Sequence, residues 1–411
     1  MRWIPRCAGS FTCRGSRLMA VCLAPLALIT CHSFAGTRLD SLADNALRIA
    51  LRHLELSVTE VGDSSLYPTH ATPGLKWKLR KADDWTAGFY AGCLWYAYEA
   101  SRDHKFEAWA RRWTESLDKE KDNPSTHDLG FKMFCSYGNG LRLMGAAAPK
   151  DYKAILLESA LTLSRRYSPV VGCFSSNWDR VQDENSFPVI IDIMMNLELL
   201  NWASENGGPS YYADYARSHA LAACRDLVRP DGSTYHVVRY DKRTGKIISK
   251  GTLQGEGNET TWSRGNAWGL YGMVMMYRYT KDSRFLETAI RIADYFIAHL
   301  APDHVAPWDF NSGLDYRDAS ATSIATSALF EMVKYVEDPA AKTHYRETAE
   351  AMLSTLCCVP YFLPSDTTSC ILDHSVQDLA TDSNVDVPNI FADYYFLEAL
   401  LRYREGRTGK Q

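Results

Sequence analysis

The stretch FPVIIDIMMNLELLNWASE, Phe187 to Glu205, constrains this chain more than any other. Read at helical spacing it is apolar nearly all the way round, through Val189, Ile190, Ile191, Ile193, Met194, Met195, Leu197, Leu199 and Leu200. A helix without a polar face has to be enclosed by other elements. Pro188 suits a first helical position, where its missing N–H has no intrahelical partner to lose. Inside the run stands Asp192, with Asn196 one turn further along the same face. Burying a carboxylate is costly unless it is paired or neutralised, and a common escape is a raised pKa that makes it a proton donor near neutral pH. A structural Asp bonded to neighbouring helix ends is the other reading of the same residue.

The remainder reads as helical almost throughout. Periodicity places helices at about Leu39–Ser57, Ala87–Ser101, Lys105–Glu120, His127–Leu143, Lys150–Arg165, Phe187–Glu205, Tyr211–Val228, Ser263–Thr280, Ser283–Leu300, Asp318–Val336, Ala341–Cys357 and Pro388–Tyr403. Some are amphipathic, such as Lys105–Glu120 with Phe106, Trp109, Trp113 and Leu117 on one side. Those between them are apolar or Gly- and Ala-rich all round, as in GLYGMVMMYRY. Alternating outer and inner helices describe an all-α (α/α)6 barrel, six helical hairpins closed on themselves, with no fixed-period repeat to favour a solenoid. The one clear strand signal is Ser233 to Thr252, a hairpin turning around Lys242–Gly245, expected at the mouth of the barrel.

A net charge of −4 and the lack of any basic run give no reason to expect nucleic acid. There is no Gly-rich phosphate loop, HExxH or CxxC, so no cofactor or metal is indicated. The 23 Tyr and 11 Trp are abundant, and aromatic rings beside polar groups suit the flat C–H faces of sugars. Arg2, Arg6, Arg14 and Arg17 precede a short apolar run, Leu18 to Thr30, and Ser33 and Ala35 suit cleavage before Gly36. The expectation is an exported, periplasmic protein with a signal peptide at 1–35 and one domain at 36–411. Lipid attachment at Cys31 is the less favoured variant, and N-terminal sequencing that finds Met1 retained would overturn export. The run is too short for a permanent membrane span. The seven cysteines of 36–411 are scattered and read as buried thiols.

Polar and aromatic residues gather where the even-numbered helices begin. If those helices form the inner ring they run parallel, and Trp85, His127, Asp128, Arg264, Trp268, Arg317 and Asp318 crowd one mouth. Helix N-termini there favour an anion. Asp318 also reads as a simple N-cap. His127-Asp128 offers more polarity than a cap requires.

DWTAGFYAG, HDLGF, FPVIIDIMMNLELL, DGSTYHVVRYDKRTGKIISKGTLQG, TWSRGNAWGLYG, WDFN with RDASATSIA, and SNVDVP with ADYYFLEAL together resemble the unsaturated glucuronyl hydrolases, glycoside hydrolase family 88. The likeness runs from about Tyr67 to Tyr403 with the motifs in family order. It implies an (α/α)6 barrel and, as substrate, an oligosaccharide left by a lyase with a C4=C5 double bond in its non-reducing uronic acid. Hydration of that bond gives a C5 hemiketal, which opens and releases the rest of the sugar. By motif position the resemblance makes Asp192 the general acid and base and Asp128 the second essential carboxylate. It places His127, Trp85, Phe89, Trp178, His236, Gln254, Arg264 and Trp268 around the substrate. Arg264 is expected to hold the substrate carboxylate from the mouth, so Arg264→Ala should spare the fold.

Two positions depart from the family pattern: Ile193 stands where Asn is expected after the catalytic Asp, and the loop His374–Pro388 carries Gln377, Asp378 and Leu379 rather than a Lys. The competing readings are an unsaturated rhamnogalacturonyl hydrolase on the same barrel, a polysaccharide lyase, and a sugar-binding toroid without catalysis. Ultraviolet absorbance separates the lyase, which creates the alkene, from the hydrolase, which consumes it.

Overall fold

The computed structural model describes residues 26–408 apart from 73, 177, 180 and 182. The basic start of the expected export signal and the first part of its apolar run lie outside the described residues. Two compact units divide the chain, Met1–Ser41 and Leu42–Gln411. The barrel lies in the second.

Among the described residues twelve α-helices follow one another: α1 (Leu26–Val61), α2 (Ala87–Ser101), α3 (His104–Glu115), α4 (Asn139–Met144), α5 (Lys150–Ser164), α6 (Leu197–Glu205), α7 (Tyr211–Ala222), α8 (Ser263–Thr280), α9 (Ser283–Ala298), α10 (Ala319–Met332), α11 (Pro339–Leu356) and α12 (Ile390–Thr408). Two inner elements begin irregularly. A π-helical segment, Gly130–Gly138, leads into α4, and a 3₁₀ segment, Ile191–Asn196, leads into α6. The inner ring closes by neighbour packing: α2 on the π segment, that on the 3₁₀ segment, that on α8, then α10, α12 and α2 again. This is the (α/α)6 barrel.

Sequence dictates which helices are inside. α10 is buried along its whole length, its small residues Ala, Ser and Thr letting neighbours close in. α3 buries Phe106, Ala110 and Trp113 and turns charge to solvent. Asp103 and Asp282 cap α3 and α9 by accepting the backbone N–H of Lys105 and Arg284. No helix among the described residues is long and apolar enough to cross a membrane.

Phe187–Glu205 is not one helix. Its first part is a strand, β5 (Ser186–Ile190), antiparallel to β6 (Val237–Asp241), which pairs in turn with β7 (Ile247–Gly251). Pro188 therefore sits in an edge strand opposite Arg239, not at a helix start. A proline is tolerated there because the edge needs no N–H from it, and it holds Phe187 extended. A continuous apolar run suits a buried strand as well as a helix, and β6 supplies the partner that decides. Strand content also exceeds the expected hairpin, with β1 (Leu66–Ala71) on β2 (Trp77–Lys81) and β3 (Tyr167–Ser168) on β4 (Cys173–Phe174). The β6–β7 turn is where sequence placed it, with Gly245 at φ +68°, a conformation an L side chain rarely adopts.

Gly130 is required by close approach. A Cβ there would lie 2.5 Å from Cα of Asn196, so any side chain would drive apart the two segments that carry Asp128 and Asp192.

Asp393, in the first turn of α12, accepts the backbone N–H groups of Leu372 (2.9 Å) and Ile371 (3.2 Å). It thereby fixes the segment that leads into the 374–388 loop. Burial pushes its pKa from 3.8 up to about 8, against the pull of those two N–H groups. The folded chain then keeps a proton that the unfolded chain releases. The parent should therefore lose stability relative to Asp393→Asn as pH rises from about 4 to about 8, by at most about 1.4 kcal/mol per unit, and no further above that. Denaturant unfolding of both proteins at pH 5, 6.5 and 8 measures this, and a pH-independent difference would refute it.

Candidate active site

Asp192 enters the site from the first turn of the 3₁₀ segment, at the end of the barrel where the inner helices begin. Its side chain is 17% exposed, but Oδ2 is shielded and has no hydrogen-bond partner, so the exposure belongs to the Oδ1 side. Oδ2 lies 3.4 Å from Nε2 of His236, which precedes β6. The pair is long and misaligned for a hydrogen bond.

The tautomer of His236 follows from its other nitrogen. Nδ1 accepts the backbone N–H groups of Leu253 and Gln254, both at 3.3 Å. A neutral ring accepting at Nδ1 carries its proton on Nε2, the atom that faces Asp192. The ring is clamped by stacking on Trp262, with centroids 4.4 Å apart and planes 22° apart.

Asp128 stands just before the π-helical segment, a distortion common at functional sites. Its backbone N–H donates to Thr126 Oγ1 at 3.0 Å, and Oδ1 lies 3.4 Å from His127 Nε2. Burial raises its pKa; His127 opposes this, the charge of Asp192 reinforces it, and Lys132 and Asn196 pull it down. The mutual repulsion with Asp192 places both carboxylates in one electrostatic field. Asn196 joins the two segments, its Oδ1 accepting the N–H of Phe131 at 3.0 Å while Nδ2 faces Asp128 without hydrogen-bond geometry. Lys132 is fully buried against Glu120 at 2.6 Å.

The aromatic residues separate into two layers. Trp85 is half-buried, with rings of Phe391, Phe131 and Phe89 at 5.2, 5.7 and 5.8 Å. Phe89 and Trp268 are wholly buried; they back the wall, Trp268 against Phe131 at 5.1 Å, and do not reach its surface. Trp178 is 37% exposed at the rim, its ring 6.1 Å from His236.

Arg264 is not a mouth residue free to meet an anion. It is 1% exposed and spends three of its five N–H groups inside the protein. Nη1 donates to Asp318 Oδ2 at 2.9 Å and to the carbonyl of Val376, and Nη2 donates to the carbonyl of Gln377 at 2.5 Å. Its guanidinium lies over Trp262 at 4.4 Å and Phe391 at 5.2 Å. The amide of Gln254 donates to the same Gln377 carbonyl, at 2.5 Å. Arg264 and Gln254 thus fasten the 374–388 loop over the site. Asp318 does cap α10, accepting the N–H groups of Ser320 and Ala321, while pairing with Arg264. Arg317 is drawn elsewhere, to Asp303 and Asp315.

Sequence reasoning missed Trp262, Phe391 and Gly130 as parts of this assembly. Trp262 lay in plain view in TWSRGNAWG, but only the fold shows that it separates His236 from Arg264. A cavity of about 700 Å³ lies toward the other end of the barrel, lined in part by Tyr96, Glu198, Arg278, Glu398 and Arg402. Its acids and guanidinium groups are bonded to one another. Among the described residues no cluster is suited to a metal.

Two carboxylates in one field, walled by aromatic rings, are groups that a glycosidase uses. The comparisons specify which. Over 328 residues, 78% of this chain and 80% of the relative, it is 41% identical to an unsaturated glucuronyl hydrolase of Formosa agariphila. An unsaturated chondroitin disaccharide hydrolase of Streptococcus pneumoniae is 33% identical over 87% of this chain and 91% of its own. Among solved structures, an unsaturated glucuronyl hydrolase specific for heparin superposes with a TM-score of 0.85 at 38% identity, covering 90% of this chain and 98% of that one. No family model matches. The chain belongs to the unsaturated glucuronyl hydrolases.

Proposed function

We propose that Asp192 delivers a proton to C4 of a non-reducing-end unsaturated uronic acid, then takes one from the water that attacks C5. The observation that carries this is the asymmetry of its carboxylate. Oδ2 is shielded and faced by the Nε2–H of His236, while the Oδ1 side opens to the mouth. The shielded oxygen faces His236 and the open one is left for proton transfer. Proton transfer to C4 leaves positive charge shared between C5 and the ring oxygen, and a carboxylate beside it lowers that barrier. Asp128 supplies the second carboxyl. Burial raises the pKa of Asp128, and the charge of Asp192 adds to that rise. The C5 hemiketal that results opens and frees the remaining sugar.

The leaving-sugar side is set by the 374–388 loop. It contains Asp378, Asp382 and Asp386 but no Lys or Arg, and Gln377 Oε1 already accepts from Asn384 at 2.8 Å. An Asp-to-Asn variant of the Streptococcus agalactiae enzyme has been crystallised with dGlcA-GalNAc6S; that chain has a TM-score of 0.75 with this one at 31% identity. Here the loop offers a sulfate no Lys or Arg, and its His374 is held by Asp386 at 2.6 Å, so the reading is a preference for second sugars without sulfate at that position. In a shielded cleft the penalty should reach about tenfold in kcat/KM. Loss of alkene absorbance over a panel of unsaturated disaccharides, sulfated and not, tests both parts. No loss with any of them removes the activity, and equal or better efficiency on the sulfated members removes the preference.

A further inference from the structure

Trp178 is a large aromatic ring left exposed at the rim, and polar groups hold its backbone. Ser176 Oγ accepts the N–H of Trp178 at 3.0 Å and donates to its carbonyl at 2.9 Å, while the N–H of Ser176 donates to the carbonyl of Pro188 on β5 at 2.8 Å. The next residue, Asp179, is gripped by Arg239 of β6 in a two-point fork: Nε to Oδ2 at 2.8 Å and Nη2 to Oδ1 at 2.6 Å. Both side chains are largely withdrawn from water, 10% exposed for Arg239 and 8% for Asp179. Oδ1 of Asp179 also accepts the N–H of Val181 at 3.1 Å.

A desolvated ion pair contributes little net stability over an apolar pair of the same shape, but its planar fork fixes direction. What this fork fixes is the segment that carries Trp178, and it fixes it to the same sheet that ends in His236. We propose that the Asp179–Arg239 pair is a positioning device that sets the Trp178 ring as a stacking face for the sugar on the leaving side of the cleaved bond. This rests on the hydration reading of the site. Neither residue touches the reacting atoms. The pair decides how well a second pyranose is held beyond the uronic ring.

The test compares an unsaturated disaccharide with a methyl unsaturated glucuronide, which has no second sugar. Trp178→Ala, Asp179→Asn and Arg239→Lys should each raise KM for the disaccharide roughly threefold to tenfold, the worth of one aromatic contact. For Asp179→Asn and Arg239→Lys, which touch no substrate atom, kcat and all constants for the methyl glycoside should stay near the parent values. Adding Asp179→Asn to Trp178→Ala should cost nothing more, because the pair acts only through the ring. The exchange of Asp179→Arg with Arg239→Asp should recover part of the loss, and it serves as the variant if a single change weakens folding. Equal losses on both substrates, or additive losses in the double variant, would overturn the proposal. A parent enzyme inactive on both substrates would instead overturn the hydration reading itself.

Discussion

Asp192→Asn should lower kcat by at least about 10³-fold while leaving a protein as stable as the parent. Proton transfer by a placed acid contributes roughly 10²–10⁴-fold, and in the proposed reaction one group serves both the protonation and the attack of water. Asn keeps the shape and presents its carbonyl oxygen to Nε2–H of His236, as Oδ2 does in the parent. The side chain lies at the mouth, not in the interior, so no core contact is lost. Substrate should still bind. A purely structural Asp192 makes the opposite forecast, a destabilised variant whose folded fraction is active. Thermal unfolding and turnover measured on one preparation distinguish the two.

The second large effect is at Arg264. Removing it strands Asp318, which is fully buried, and frees the carbonyls of Val376 and Gln377 that tie down the 374–388 loop. Breaking one side of a buried pair costs about 3–5 kcal/mol. Arg264→Ala should therefore lose stability of that order together with nearly all activity. Arg264→Lys should recover part of the stability, since a single ammonium pairs with Asp318 but cannot span the three acceptors. Equilibrium unfolding and steady-state kinetics on the two variants check this. An Ala variant that unfolds like the parent and differs only in KM would restore Arg264 to the role of an exposed substrate ligand.

That reversal shows which parts of the site were legible in the chain. Local patterns were enough for α2 and α8, which run from Ala87 to Ser101 and from Ser263 to Thr280 as periodicity indicates. The turn of the β6–β7 hairpin was equally plain, since Thr244-Gly245 after a β-rich run admits few conformations. Phe187–Ile190 was not legible, because an apolar run without alternation fits a strand or a helix until a partner is known. The local setting of Asp192 differs from the expected one. It is conspicuous as a carboxylate in an apolar run, yet it stands at the start of a 3₁₀ turn rather than in mid-helix.

What sequence could not supply was the joining of distant segments. The proton on His236 is located by amides at Leu253 and Gln254, and the burial of Arg264 is decided by a loop more than a hundred residues further along. Neither leaves a local trace. Asp318 shows the same limit in another form: cap and ion pair are one residue, and only the first is written in its neighbours.

The central claim is that the reactive bond is the alkene and not the glycosidic bond itself. One measurement bears on it most directly: release of the second sugar by the parent enzyme from two disaccharides identical except at C4–C5, one unsaturated and one a saturated glucuronide. The unsaturated compound should be split with loss of alkene absorbance, and the saturated one should remain intact, having nothing for Asp192 to protonate. Cleavage of the saturated disaccharide at a comparable rate would contradict the account.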